Sequence, residues 1–113
     1  MLPKENRIKK KKDFEVIFKK GKSFKNSFFI LKVLNNNLKI SRFAFVISQK
    51  VSKKATERNK IKRRMSSFLE ENFQKMKIGF DFVFIVLLSA KDKSFDQIKE
   101  SVEDILQKAK VKI

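Results

Sequence analysis

Eight basic side chains fall within the fifteen positions from Lys50 to Arg64. They are Lys50, Lys53, Lys54, Arg58, Lys60, Lys62, Arg63 and Arg64, set against one acid, Glu57. Such a density of like charge repels itself unless a polyanion is present. Arg presents a planar fork that matches phosphate oxygens, and Lys a flexible point charge. Asn59, inside the arginine-rich turn, carries both an amide donor and an acceptor, equipped for a sugar or a base edge. A strand-like run, Phe43 to Ser48, precedes the cluster, and helical apolar positions run through it and beyond. Charge held on a folded scaffold points to shaped recognition of a phosphate backbone. Each phosphate contacted releases condensed counterion, so affinity should fall steeply with salt.

Other chemistries find little support. The chain has no His and no Cys. This removes the commonest general base at neutral pH, the commonest zinc ligand, any disulfide and any thiolate metal site. Asp13, Asp81, Asp92 and Asp96 are scattered, and no carboxylate pair on one element has the spacing of a two-metal nuclease. No catalytic residue, no protein metal site and no organic cofactor are expected. Asp81, at the start of a strand, reads as structural.

The elements that must position the basic cluster follow from periodicity. Residues 1–12, with Lys9 to Lys12 in a row, read as a basic mobile arm. Phe14, Ile17 and Phe18 recur at helical spacing, and Gly21 stands where a left-handed C-cap would stop a short helix. Residues 24–34 alternate as a strand, with Phe29, Leu31 and Val33 on one side and Phe28, Ile30, Lys32 and Leu34 on the other. Asn35-Asn36-Asn37 is a turn. Leu38 to Ser48 reads as a second extended region, and a hairpin joins the two. A helix should begin near Ser52 to Thr56 and run to about Met76, burying Ile61, Met65, Phe68, Leu69 and Phe73. Phe80 to Leu88 is almost continuously apolar and fits a central strand. Ser94 is placed to cap a last helix with a stripe of Phe95, Ile98, Val102, Ile105, Leu106 and Ala109. An α/β sandwich with helices packed on a small mixed sheet buries these faces.

A chain of 113 residues, 42% hydrophobic, suits a single domain. Its net charge is +17, from 29 basic and 12 acidic residues. From Asp81 onward the signs balance, six against six, so the last third reads as scaffold. No apolar run approaches the roughly 20 residues of a membrane span. The basic N-terminus is not followed by an apolar signal region. A cytoplasmic protein without a membrane partner is expected. The chain holds 13 Phe but no Tyr or Trp, and most of these rings must be core. Phe14 and Phe18, four apart on a short basic helix, fit either core packing or stacking on unpaired bases.

These residues carry a pattern. Arg7-Ile8-Lys9-Lys10 with Asp13-Phe14, Phe18 and Gly21, then Ser48-Gln49-Lys50-Val51 and Ala55-Thr56-Glu57-Arg58-Asn59-Lys60-Ile61-Lys62-Arg63, closely resemble the protein component of bacterial ribonuclease P. The likeness runs from Arg7 to about Leu106. It implies a two-layer sandwich of order α-β-β-β-α-β-α with a left-handed βαβ crossover containing the basic helix. It implies an accessory role beside a catalytic RNA that cleaves precursor tRNA at the 5′ end of the mature sequence, with Mg2+ held mainly by that RNA. By the same resemblance Phe14, Phe18 and Lys32 fall in a cleft for the 5′ leader. Lys50, Lys53, Lys54, Arg58, Asn59, Lys60, Lys62, Arg63 and Arg64 fall in the RNA-binding motif.

The chain departs from the family pattern in places. Lys32 stands where an aromatic is usual, Lys60 where the motif has a second arginine, and Gln49 where a lysine is usual. Ser66 and Leu87 stand where basic residues are common. The competing reading is a ribosomal or other structural RNA-binding protein without a cleavage role. A helix-turn-helix DNA binder would want two short helices at a tight turn, whereas strands flank the basic helix here.

Overall fold

The computed structural model describes residues 2–111. Helix α1 (Lys11–Lys20) leads into strands β1 (Lys22–Lys25), β2 (Phe29–Asn35) and β3 (Arg42–Val46). Helix α2 (Ala55–Glu71), strand β4 (Phe80–Val86) and helix α3 (Phe95–Lys108) follow. The order is α-β-β-β-α-β-α, and the four strands form one mixed sheet in the order β1-β2-β4-β3.

The sheet order corrects the expected hairpin. The extended run at residues 24–34 is two strands, β1 and β2, folded back at Asn26 and paired antiparallel. The Asn26 side-chain oxygen accepts the N–H groups of Phe28 and Phe29 at 3.1 and 2.9 Å, which fixes that turn. The turn at residues 35–37 does form, with Asn37 at φ 59. It does not join paired strands, because β4 lies between β2 and β3, antiparallel to the first and parallel to the second. The cause is burial. β4 is apolar on both faces, so it takes the place where both faces are covered.

Strand register sorts the faces. Phe29, Leu31 and Val33 pair with Val86, Phe84 and Phe82, and Phe43 and Phe45 align with Phe82 and Phe84. Helices α2 and α3 cover this side through Met65, Phe68, Leu69, Ile98, Val102, Ile105 and Leu106, all buried. Phe43 stacks between Phe73 and Phe82 at centroid distances of 5.6 and 5.1 Å. Truncating a ring in such a core costs about 3–5 kcal/mol. The opposite side carries Ile30, Lys32, Leu34, Ala44, Val83 and Ile85. Helix α1 packs there through Ile17 and Phe14, with Ile8 beside them.

The handedness of the crossover follows from amide directions. Leu87 donates its N–H to the Phe28 carbonyl. Val83 and Ile85 therefore turn their amides toward β2, and Phe82 and Phe84 turn theirs toward β3. For L-residues this sets β3 to the right of β4 when the Phe82–Phe84 face is toward the viewer and both strands point up. Helix α2 lies on that face, so the chain climbs β3, returns through α2 and steps left into β4. The crossover is left-handed, against the strong right-handed preference of parallel connections.

Local chemistry sets the helix ends. At the start of α2 the Ser52 hydroxyl accepts the Lys54 N–H at 3.2 Å and donates to the Glu57 carboxylate. At its end the Asn72 amide donates to the Phe68 carbonyl at 2.8 Å, and a short 3-10 turn (Phe73–Lys75) follows. The helix is thus shorter than expected. Ser94 caps α3, its hydroxyl accepting the Gln97 N–H while the Gln97 side chain accepts the Ser94 N–H. Gly21 is not left-handed, with φ −70 and ψ 152. Its glycine character has a steric cause: a Cβ there would lie 2.5 Å from the Ile17 carbonyl oxygen.

Residues 2–8 of the anticipated arm lie on the domain. Leu2 and Ile8 are buried, the Ile8 N–H donates to the Phe43 carbonyl, and the Arg7 side chain donates to the Leu2 carbonyl. These two apolar residues give the segment something to bury. Lys9 to Lys12 stay exposed.

Candidate nucleic-acid interface

The stripe Ile61, Met65, Phe68 and Leu69 turns the rest of α2 outward, and the basic residues divide over three sectors. Asn59 and Arg63 are exposed on the outer arc. Arg58 and Lys62 are half-buried on one flank, where a guanidinium nitrogen of Arg58 donates to the Ser52 carbonyl at 2.7 Å. That bond ties the β3–α2 loop to the helix, and Val51 and Ser52 anchor the loop by burial. Lys50, Lys53 and Lys54 project from this pinned loop and are exposed. Lys60 and Arg64 occupy the other flank, facing the start of α3. Arg64 is half-buried, its guanidinium carbon 5.5 Å from the centroid of Phe95.

Folding adds two lysines that the balanced charge of the last third concealed. Lys91 and Lys93, on the β4–α3 connection, line a pocket of about 210 Å³ with Lys60 and Arg64. Lys93 also sits 5.8 Å from the centroid of Phe28. The sequence signal was their position just before the Ser94 cap, where they must lie close to whatever helix packs beside α3. Ser66 and Leu87 are covered, Ser66 buried and Leu87 half-buried, so neither presents an open RNA-facing position here.

The second surface lies on the α1 side of the sheet. Phe14 is half-buried against the cluster of Ile8, Ile17, Ala44 and Val83. Phe18 is 43% exposed. The two rings are stacked, with centroids 6.4 Å apart and planes inclined by 25°. Of the two competing roles, Phe14 serves packing and Phe18 leaves a ring open to a ligand. Lys32 lies on the same side of β2, half-buried, and donates to the Ser23 hydroxyl of β1. The structure therefore brings Phe14, Phe18 and Lys32 to one face, and sets the α2 cluster on a separate surface across the sheet.

A buried ion pair holds α1 in place. Asp81, 3% exposed, accepts two bonds from Arg42, at 2.8 and 2.6 Å, and one from the Asn36 amide at 2.9 Å. Arg42 also reaches Asp13 of α1 at 3.4 Å. The hydrogen bonding that Arg42 donates to Asp81 is the main cause that raises the Arg42 pKa above its ordinary value, and burial opposes it. Sequence reasoning marked Asp81 as structural but missed Arg42, which stands 39 residues away.

The Asp13 and Asp81 carboxylates thus converge on a guanidinium. Among the described residues, no group of three or more His, Cys, Asp or Glu side chains is placed to hold a metal ion. No helix among them is long and apolar enough to cross a membrane.

An α/β domain with a pinned basic helix on one surface and an open aromatic pair on another is built to bind nucleic acid. Residues 2–110 match the family model described as Ribonuclease P. The ribonuclease P protein component of Clostridium botulinum (strain Loch Maree / Type A3) is 37% identical over 107 residues, covering 94% of this chain and 96% of the relative. The solved ribonuclease P protein of Staphylococcus aureus superposes with a TM-score of 0.88 at 36% identity, covering 94% of this chain and 96% of that one. That of Thermotoga maritima superposes with a TM-score of 0.83 at 31% identity, covering 90% and 96%. The chain belongs to the bacterial ribonuclease P protein component family. It is the accessory, non-catalytic subunit of an RNA-based endoribonuclease that matures tRNA.

Proposed function

We propose that the two surfaces divide the work of the subunit. The α2 surface, with Lys50, Lys53, Lys54, Arg58, Asn59, Lys60, Lys62, Arg63 and Arg64, engages the phosphate backbone of the catalytic RNA. The α1 side of the sheet, with Phe14, Phe18 and Lys32, takes the 5′ leader of precursor tRNA. The observation that carries the second assignment is the stacked Phe14–Phe18 pair, one ring braced by the core and the other open. A braced ring stacks on an unpaired base without first being ordered, and any base offers a π face, so leaders of varied sequence are accepted. Lys32 adds a point charge for a leader phosphate where a third ring would stack. A mature tRNA has no leader and gains nothing from this cleft.

Mg2+ would supply the water activation in the RNA subunit, and none of this protein's residues is assigned to hold it. Their part is to grip substrate and to neutralise phosphate close to the reacting strand. That role fits a cleft lined by cations and rings and carboxylates that are already paired. Residues 1–12 contribute positive charge along the same side through Lys9 to Lys12. A cytoplasmic setting follows from the tRNA substrate.

Reconstitution with the cognate catalytic RNA at limiting magnesium tests the division. Neutralising Lys62 and Arg63 should weaken affinity for the catalytic RNA and leave the ratio of precursor to mature tRNA binding unchanged. Altering Phe18 should do the reverse. If both changes move both quantities in parallel, the two-surface assignment is wrong.

A further inference from the structure

Beyond the C-terminal end of α1 lies a groove of about 620 Å³ that the two surfaces above do not include. Lys20, Lys22, Lys108 and Lys110 rim it, and Phe24 and Phe80 form part of its floor. The four lysines are exposed and both rings half-buried. Among the described residues, no carboxylate lines the groove. Lys108 has a loose partner, Asp104, at 3.6 Å, which does not line it. Lysines in a last helical turn also suit the helix dipole, which would explain Lys20 and Lys108. It does not explain Lys22, on a strand, or Lys110, past the end of α3.

Two observations connect this groove to the α1 cleft. Leu34 packs, like Phe14, against the cluster of Ile8, Ile17, Ala44 and Val83 on the cleft side, and it also lines the groove. Lys20, two residues beyond Phe18 on α1, rims the groove, roughly 3 Å further along the helix axis and about 200° around it. A strand that lies over Phe18 and rounds the end of α1 at Lys20 passes to the α3 side of the sheet, where Lys22, Phe24, Val33 and Phe80 line the groove. Positive charge without compensation selects an anionic occupant, and half-buried rings on the floor suit bases better than a fully solvated polyanion.

We infer that this groove is a second single-stranded RNA subsite that holds the part of the 5′ leader further from the cleavage site. The inference rests on the reading that the leader lies along α1. The occupant is the same strand, so the subsite adds affinity only for leaders long enough to reach it.

The test is the affinity of reconstituted holoenzyme for precursor tRNAs whose 5′ leaders are lengthened one nucleotide at a time. The wild type should show two rises, one when the leader spans Phe14 and Phe18 and a second at greater length. Changing Lys20, Lys22, Lys108 and Lys110 together to Gln should remove the second rise, about tenfold or less in affinity, and reduce the salt slope for long leaders by about 0.7 per lost phosphate contact. It should leave the first rise intact. A charge-matched variant with Lys4, Lys39, Lys75 and Lys77 changed to Gln should keep both rises. A second rise that survives the groove variant overturns the inference, as does a loss shared equally by the charge-matched variant. Absence of the first rise in the wild type would instead remove the underlying cleft reading. Thermal unfolding of each variant separates a helix-dipole role, which lowers Tm without touching leader dependence.

Discussion

Phe18→Ala is the sharpest probe of the leader cleft, because the structure separates its binding role from its packing role. Phe14 is half-buried against the cluster of Ile8, Ile17, Ala44 and Val83, so its removal damages the domain. Full burial of a Phe is worth about 3–5 kcal/mol on truncation, and half-burial therefore about 2 kcal/mol. Phe18 is 43% exposed and stacks on the Phe14 ring, so truncation should cost under about 1 kcal/mol of stability. Loss of one stacked base costs about 1–3 kcal/mol of binding, which is roughly 5- to 150-fold in Kd. The assay is equilibrium binding of holoenzyme to precursor and mature tRNA, with urea unfolding of the free protein alongside. The precursor constant should weaken by that factor and the mature constant should stay put. Phe18→Leu should fall between, since it keeps apolar area but has no π face. A folded Phe18→Ala protein with undiminished preference for the leader would refute the reasoning.

Arg63→Gln should weaken catalytic-RNA binding and lower its salt slope by about 0.7–0.9, with unchanged circular dichroism, because the side chain lies off the buried stripe. Asp81→Asn should destabilise the domain by about 1–3 kcal/mol in urea unfolding, since it leaves the partly exposed Arg42 guanidinium with Asp13 at 3.4 Å as its charge partner; replacing both Arg42 and Asp81 by Met and Leu should recover much of that loss. Ser94→Ala should cost about 1 kcal/mol through loss of the α3 cap and leave RNA binding untouched. Gly21→Ala should destabilise by about 1–3 kcal/mol despite an ordinary φ, because the new methyl meets the Ile17 carbonyl rather than open space.

Elements with a strong one-dimensional pattern were legible, and pairings between them were not. The α3 cap and stripe could be read because Ser94, Gln97 and Ile98 lie within one turn of each other. The central place of β4 was implied by its unbroken apolar run. The sheet order was hidden because the Asn35–Asn37 turn satisfies itself locally: Asn35 and Asn36 accept the N–H groups of Asn37 and Leu38 whatever strand comes next. Gly21 was assigned the wrong cause because sequence shows that a position wants no side chain, not whether φ or a neighbouring carbonyl is the reason. The basic helix was legible as a cluster, while its division into flanks depends on contacts with Ser52 and Phe95 that no local spacing reveals. The charge balance of the last third concealed Lys91, Lys93, Lys108 and Lys110, because net charge along the chain says nothing about which signs share a surface.

Charge and fold act against each other here in a way that the RNA partner resolves. A net charge of +17 on 113 residues raises the energy of every compact arrangement. The few ion pairs seen among the described residues relieve little of it, since Lys11–Glu15 and Lys108–Asp104 are exposed, and Arg42–Asp81 serves to hold α1 and β4. Many of the remaining cations lie over α2 and around the ends of α1 and α3, outside the apolar core. Salt screens the repulsion within the free protein, and it also weakens attraction to phosphate. The two effects must have opposite signs: rising salt should stabilise the isolated domain against urea while loosening its grip on RNA. The bound state escapes this conflict because RNA phosphates replace mobile counterions at the same side chains, so binding and folding become linked by mass action. This linkage explains why the basic residues sit on pinned positions such as the Val51–Ser52 loop and the flank of α2. Held there, they meet phosphate without the ordering cost that flexible arms would add.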